Sequence, residues 1–286
     1  MNKAGVKRSV AIAIEVSLGS FRKHVNERSL IEAALDAADL VMFSGIRYLE
    51  SMISNPEKAL RDHEDLIRRY SVASEDVALV GRLSSYRVIG VASFNPDLGF
   101  EGNASRLMRI GTDILGLKIF PTLHFIDPSD PRLDVVYEAV RSVGGLVVVH
   151  TGCDPGVWEL PRYCKLARPS LVVRAARRHR DLVFVVAHLG AYSALKPGIY
   201  FDEALRALEE PNIYADTSAA DPLFIEWAVK EAGSDKILFG SDYPYVAGSD
   251  IESCISEIMS LSINDNDKER ILRRNAERLL RIHKWM

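Results

Sequence analysis

The chain has 286 residues, 48% of them hydrophobic and 26% charged, with a net charge of -3 and a pI near 6.2. That balance gives no field to gather nucleic acid or an anionic membrane surface, and no run reaches the roughly 18 apolar residues that a membrane span needs. Three cysteines, Cys153, Cys164 and Cys254, are too few for a secreted disulfide framework, so a cytoplasmic protein is expected. The absence of glutamine, beside abundant Arg, Lys and Glu, fits a thermophilic source.

In chain order the β-rich runs are 8–16, 88–94, 113–120, 145–150, 182–188, 212–217 and 236–241. Several are nearly continuous Val, Ile, Leu and Phe, as in strands covered on both faces of a parallel sheet. Amphipathic stretches lie between them. Asn55-Pro56, Asp130-Pro131 and Asp221-Pro222 each read as a helix cap followed by Pro at the first helical position. Gly144 and Gly233 fall just past helical runs, where a left-handed residue is wanted. The basic cluster Arg177, Arg178, His179 and Arg180 suits a helix C-terminus, and the last helix is placed at 267–282. Unbroken alternation of strand and helix means βαβ units and a parallel sheet. With no linker or composition break, residues 1–286 are expected to form one domain.

Alternation alone does not separate a closed barrel from an open doubly wound sheet. No GxGxxG turn favours the open sheet. Three strands, however, end alike: an apolar run, a ligand-type side chain, then a loop. LVVVHTG ends in His150, FVVAHLG in His188 and ILFGSDYP in Asp242. In a β/α barrel the C-terminal strand ends converge on one face, where two imidazoles and a carboxylate suit a divalent metal of the zinc type, or a metal with a general base. Singly, each has a plain alternative: a hydrogen-bonded structural histidine, or an aspartate starting a turn.

The segments HTG, AHLG, YADTSA and LFGSDYP, in that order, resemble the amidohydrolase-related family that includes aminocarboxymuconate-semialdehyde decarboxylase. GLKIFP, DPRLDVVYEAV, ARPSLVVRAARRHRDL and ILRRNAERLL match as well. The resemblance implies an α/β fold of the TIM-like (β/α) barrel type. It makes His150 a metal-binding residue, His188 the general base or the group orienting a metal-bound water, and Asp242 a metal ligand and proton shuttle. The implied activity is hydrolysis of a small carboxylate, lactone or amide with a divalent metal such as zinc, or a related non-oxidative decarboxylation.

One departure matters. The family begins with a strand bearing His-x-His, and this chain has no such pair. Its opening resembles the end of the family's first helix followed by the second strand. About seven strands are therefore expected, with a seam between the first and last that is pinched shut or covered by a loop, a terminal segment or a second copy in a homo-oligomer. The metal is left two ligands short, so an empty or weakly occupied site is expected.

Further candidates follow from position. Lys118, at a strand end, reads as a carbamylated metal bridge, a partner for a substrate carboxylate, a Schiff-base nucleophile of a metal-free lyase, or a residue snorkelling to the rim. Trp158 is a candidate pocket wall and Arg168 a candidate anion contact. Asp216 and Ser218 are expected to support the site by hydrogen bonding, and His124 is a candidate from the loop after Lys118. Glu15 and Asn95 read as rim or turn residues; His24, His63, His179 and His283 as surface residues; Cys153 and Cys164 as unlinked thiols. The missing His-x-His also leaves open a barrel that has kept its fold without chemistry.

Overall fold

The computed structural model describes residues 1–37, 50, 52–154, 159–193, 196–246 and 250–282. Seven strands form, β1 (Ser9–Ile12), β2 (Val88–Ser93), β3 (Ile114–Ile119), β4 (Leu146–Val149), β5 (Phe184–Val186), β6 (Ile213–Asp216) and β7 (Ile237–Leu238). Each lies inside a run read from the sequence, and each is shorter, because pairing stops where the backbone splays into the flanking loops. Sheet order follows chain order and every neighbouring pair is parallel. The result is a curled, TIM-like half-barrel, with β1 and β7 as its edges among the described residues.

Helices form where the caps predict them. Asn55 accepts a hydrogen bond from Lys58 N ahead of helix Pro56–Tyr70, and Asp221 does the same for Leu223 N ahead of Pro222–Ala232. Asp130 caps a short 3-10 turn that leads into helix Asp134–Ser142. The last helical stretch starts at Asp265 and passes through a π-helical turn, Arg270–Arg274, before Asn275–Ile282. No described helix is long and apolar enough to cross a membrane.

Side chains alternate across the sheet, as the two-residue period of a strand requires. Leu117, Ile119, Val147, Val149, Phe184, Val186 and Ile213 face the helices, in one cluster with Val136, Val140, Val172 and Ala176. The opposite parity faces inward: Ile89, Val91, Leu115, Leu146, Val148, Val185 and Tyr214 form a second cluster, joined by Leu279 of the final helix. A register shift between Gly90 and Ala92 puts Lys118 beside Ser93, and Lys118 also pairs with Val148 of β4. This parity sends Lys118, His150 and Asp216 inward together.

Several residues expected at the surface or rim are interior. Glu15 is buried: Oε1 accepts from Ser74 N (2.7 Å) and Ser74 Oγ (2.6 Å), and Oε2 accepts from Asn95 Nδ2 (2.9 Å) and Arg106 Nη1 (2.8 Å). It ties the end of β1 to three other elements, while Asn95 caps the turn after β2 as expected. His63 is buried with Nδ1 2.7 Å from Ala59 O, and His179 is buried with Nε2 2.9 Å from Asp134 Oδ1. Local backbone and carboxylate partners satisfy these rings, which polarity along the sequence does not reveal. His24 is exposed as expected, and His283 lies outside the described residues.

Two glycines separate the two reasons for having one. A Cβ on Gly116 would lie 1.8 Å from Leu146 O, a collision between paired backbones, whereas Gly144 has open space but φ +70°. Gly116→Ala is expected to destabilise by about 3 kcal/mol or more, and Gly144→Ala by about 1 kcal/mol. Urea unfolding of both variants checks this, and equal losses would show that β3 and β4 are not so tightly apposed.

Candidate active site

The inward-facing residues at the C-terminal strand ends form one cluster, with Lys118, His150 and His188 buried and Asp216 and Asp242 half-buried. His150 directly follows β4, and its N–H donates to Ile119 O of β3 (2.9 Å). His188 follows β5 in a turn where it and Leu189 take left-handed φ of 63° and 50°. Its backbone N–H donates to Asp216 Oδ1 (3.0 Å), which fixes that turn against β6. Asp242, past β7, also has positive φ (56°).

The ring protons follow from the partners. His188 Nδ1 lies 3.0 Å from the Ser218 carbonyl oxygen, which can only accept, so Nδ1 carries the proton. Ser218 Oγ, 2.8 Å from the same nitrogen, gives its own proton to Asp216 Oδ1. In a neutral ring His188 Nε2 is then an acceptor, taking the proton of His150 Nδ1 at 3.1 Å. His150 Nε2 accepts in turn, 3.1 Å from Glu159 Oε1. The chain of hydrogen bonds closes only if Glu159 is a protonated acid. Burial favours that state: it pushes the Glu159 carboxyl up to about 7 and drives both imidazoles below their usual range.

Glu159 is held on its other sides by Thr122 Oγ1 (2.7 Å to Oε1) and Asp154 N (2.8 Å to Oε2). Its loop is pinned by a Cys153–Cys164 disulfide with Cα atoms 5.4 Å apart. Two unlinked thiols were expected; Cys153 and Cys164 instead stand within bridging range of each other. Phe120 stacks on His150 at 3.9 Å, and Tyr192 lies 5.4 Å from His150 and 5.3 Å from His188.

Lys118 is 5% exposed and does not snorkel to the rim. Its Nζ makes no hydrogen bond among the described residues and lies 5.8 Å from the Phe120 ring centre. Burial lowers its basicity, against the opposing fields of Asp216, Asp242 and Glu159. Asp242 is pushed the other way: burial raises its carboxyl, opposed by His188 and Lys118. Burial thus shifts both groups toward their neutral forms.

The cluster thus unites Lys118, His150, His188 and the field of Asp242 with Asp216 and Ser218. It does not recruit the others. Arg168 is exposed at the start of helix Pro169–Arg178, paired with Glu203 at 2.5 Å and stacked over Tyr200. His124 is buried, with Nδ1 accepting from Phe120 N (3.0 Å) and Nε2 donating to Glu15 O (3.1 Å), which leaves it a structural ring. Trp158 lies outside the described residues. Glu159 was missed in the sequence; the available signal was a lone carboxylate between apolar neighbours in VWELP. A cleft of about 360 Å³ lined by Thr217, Gly240 and Ser241 adjoins the ends of β6 and β7. A larger one, about 660 Å³, lies at the opposite end of the sheet beside Met1 and Val88.

A divalent metal does not fit this donor set. Both nitrogens of His150 and of His188 are engaged, so neither ring presents a free lone pair, and among the described residues no three His, Cys, Asp or Glu side chains group around a common point. The ligand roles expected for His150 and Asp242 have no partners here.

The amidohydrolase family profile matches residues 60–282. A search of curated proteins finds no match. Among solved structures, 5-carboxyvanillate decarboxylase of Sphingomonas paucimobilis is similar, with TM-score 0.55 and 15% identity, over 96% of this chain and 99% of that one. An uncharacterised TIM-barrel protein of Bordetella bronchiseptica gives 0.61 and 17% over the same shares. A 5-carboxyvanillate decarboxylase of Novosphingobium aromaticivorans, complexed with manganese, gives 0.58 and 13% over 96% and 95%. Identities this low speak for the fold.

The protonated Glu159 has a measurable consequence. Its folded pKa, about 7, lies above the ordinary 4.5, so the folded chain holds this proton more tightly than the unfolded one. The stabilisation is complete below pH 4.5 and is lost as pH rises to about 7, a change of about 3 kcal/mol. Glu159→Gln mimics the protonated acid and is expected to lack that slope. Unfolding curves from pH 4 to 8 compare the two, and parallel curves would mean that Glu159 is ionised throughout.

Proposed function

We propose, on the premise that the chain belongs to the amidohydrolase family, that it removes carbon dioxide from a small organic carboxylate without an oxidant, at the cluster around Lys118. The observation that carries this reading is a buried lysine whose Nζ makes no hydrogen bond among the described residues, at the same end of the sheet as an aspartate whose carboxyl burial pushes toward the protonated form. Decarboxylation needs those two things: a group to draw off the electron pair as the carbon–carbon bond breaks, and an acid to return a proton to carbon.

A substrate with an oxygen β to the carboxylate, either a 3-oxo acid or a 2-hydroxyaryl acid, would place that oxygen at Lys118 Nζ. In a 3-oxo acid that oxygen takes up charge as carbon dioxide leaves, and the carbon is protonated afterwards. In a 2-hydroxyaryl acid the ring carbon bearing the carboxylate is protonated first, which makes the ring a 3-oxo acid, and loss of carbon dioxide restores the aromatic ring. The buried setting favours loss of the carboxylate charge and strengthens the contact with Lys118. Asp242, which accepts no side-chain hydrogen bond among the described residues, supplies the proton to carbon in both cases. His150 and His188 hold the wall of the site through their chain to Glu159. The names of two structural neighbours, decarboxylases of an aromatic acid, one of them complexed with manganese, support loss of carbon dioxide as the reaction.

Hydrolysis of a lactone or amide requires an activated water. The ring expected to serve as base, His188, has both nitrogens occupied, and the zinc that would lower the pKa of a water lacks ligands. The donor set thus favours decarboxylation over hydrolysis.

Carbon dioxide release from 2-hydroxybenzoates and 3-oxo acids, assayed at neutral pH without added metal, tests the reading. Asp242→Asn is expected to lower kcat by at least ~100-fold with little change in KM. A turnover that appears only on adding zinc or manganese would sink this version of the chemistry. The purified chain, loaded with either metal and desalted, is expected to retain well under one ion per chain; stoichiometric retention by mass spectrometry would show that the histidine chain opens to bind it.

A further inference from the structure

The Cys153–Cys164 bridge joins residues 11 apart and encloses Glu159, the acid that closes the histidine chain. We propose that this disulfide is a redox latch: with the bridge closed Glu159 covers the Nε2 edge of His150, and on reduction by a dithiol Glu159 withdraws and leaves that nitrogen open to solvent.

The two ends of the bridge are held differently. Thr151 Oγ1 donates to Ala187 O (2.5 Å), and the Cys153 N–H donates to Tyr192 O (2.7 Å). Between them Gly152 has φ +90°, and a Cβ there would lie 2.6 Å from Tyr192 O. Cys153 is thus fastened against the segment after β5. Cys164 sits in the 3-10 stretch Pro161–Ala167, seven residues long, in which Cys164 and Ala167 are the buried residues. Runs of 3-10 helix beyond four residues are uncommon because their hydrogen-bond geometry is poor, so this end depends on the bridge for its place. Glu159 lies between the two cysteines, 1% exposed, with Oε1 3.1 Å from His150 Nε2. The rest of that ring is covered from elsewhere: Phe120 stacks on its face at 3.9 Å, and Nδ1 meets His188 Nε2 at 3.1 Å. Taking a carboxyl out of water is costly, and the closed bridge removes the chain freedom that would favour its return. Opening the bridge restores that freedom, and the carboxyl goes back to water.

The redox step balances with a dithiol as reductant. One of its thiolates attacks the sulfur of Cys164, the less buried of the pair. The S–S bond breaks, and its electron pair leaves on Cys153 Sγ, which takes up a proton. The second thiolate of the reductant then displaces Cys164 Sγ from the mixed disulfide and closes the reductant's own S–S bond, and Cys164 Sγ is protonated in turn. Two electrons and two protons pass from the dithiol to the protein. Leu160 O, 3.9 Å from Cys164 Sγ, is placed to accept from the thiol so formed.

Diethyl pyrocarbonate, which acylates an imidazole nitrogen with a free lone pair, reads the latch. The full chain is reduced with dithiothreitol in the absence of denaturant, or left oxidised, then desalted under nitrogen and labelled. Each modified histidine and each free thiol is mapped by mass spectrometry. His24, which is exposed, is expected to label in both states, and His63, which is buried, in neither. The expected result is two new thiols and labelling of His150 at least ~10-fold faster after reduction, with protection regained on reoxidation. Glu159→Ala with the bridge intact is expected to label His150 in both states. A bridge that resists dithiothreitol in the folded chain, or a reduced chain whose His150 stays protected, overturns the latch. So does labelling of His63 together with His150, which marks general unfolding. Protection of His150 in oxidised Glu159→Ala shows that another group covers the ring, and overturns it too. Because reduction and labelling are read on the unaltered chain, the result does not depend on how well the variant folds. The readout is the reactivity of one ring, not release of carbon dioxide, so failure here leaves the decarboxylase reading standing, and failure of that reading leaves the latch.

Discussion

The carbonyl oxygen of Ser218 can accept a hydrogen bond and cannot give one, and the arrangement of the site follows from that. It forces the proton of His188 onto Nδ1. With that proton placed, His188 Nε2 faces His150 as an acceptor, and His150 faces Glu159 as an acceptor. A single backbone atom after β6 thus sets the proton inventory of three side chains from three separate parts of the chain. The same sequence of constraints fills all four ring nitrogens. Histidines that look like metal ligands in the sequence become a closed wall, and the side chains of Lys118 and Asp242 are left without a hydrogen bond among the described residues.

Burial then sorts those groups. In a low-dielectric site each titratable side chain is pushed toward its neutral form unless a partner resists. Asp216 has three donors on one oxygen, from His188 N and from Ser218 N and Oγ. Asp242 and Lys118 have only through-space fields to oppose their desolvation. Two aspartates a strand apart thereby acquire different roles, one holding a turn through its hydrogen bonds, the other with its carboxyl pushed by burial toward the protonated form. Identical side chains diverge by surroundings alone.

The sequence carries the skeleton well. β-rich runs mark all seven strands, several of them nearly continuous Val, Ile, Leu and Phe, and the Asn-Pro and Asp-Pro caps mark helix starts, because these signals are local. Residues at the ends of strands are legible for a related reason: in a parallel sheet all strands point the same way, so a ligand-type residue just past each run must arrive at the same end. What depends on the path of a loop is not legible. Glu159 lies nine residues beyond His150, and its contact with the ring goes with a Cys153–Cys164 disulfide that the spacing does not announce. Glu15 looks like a polar strand end until Ser74, Asn95 and Arg106 are seen to converge on it from 59 to 91 residues away. Arg168 looks like an anion contact in isolation and is taken by Glu203, supplied by a helix 35 residues later.

The final helix bears on how this chain comes to be folded. Leu279 packs into the same interior cluster as Ile89, Val91 and Leu115, side chains from strands made far earlier in synthesis. The inner face of the sheet consequently stays partly uncovered while the first strands emerge, until the helix carrying Leu279 packs onto it. Contacts of that sequence separation are slow to form, and until they form the nascent sheet presents an apolar concavity to its surroundings. A ribosome stall or a proteolytic cut between β7 and Asn275 would leave a nearly finished sheet with its interior exposed, a species that chaperones and degradation machinery are equipped to recognise.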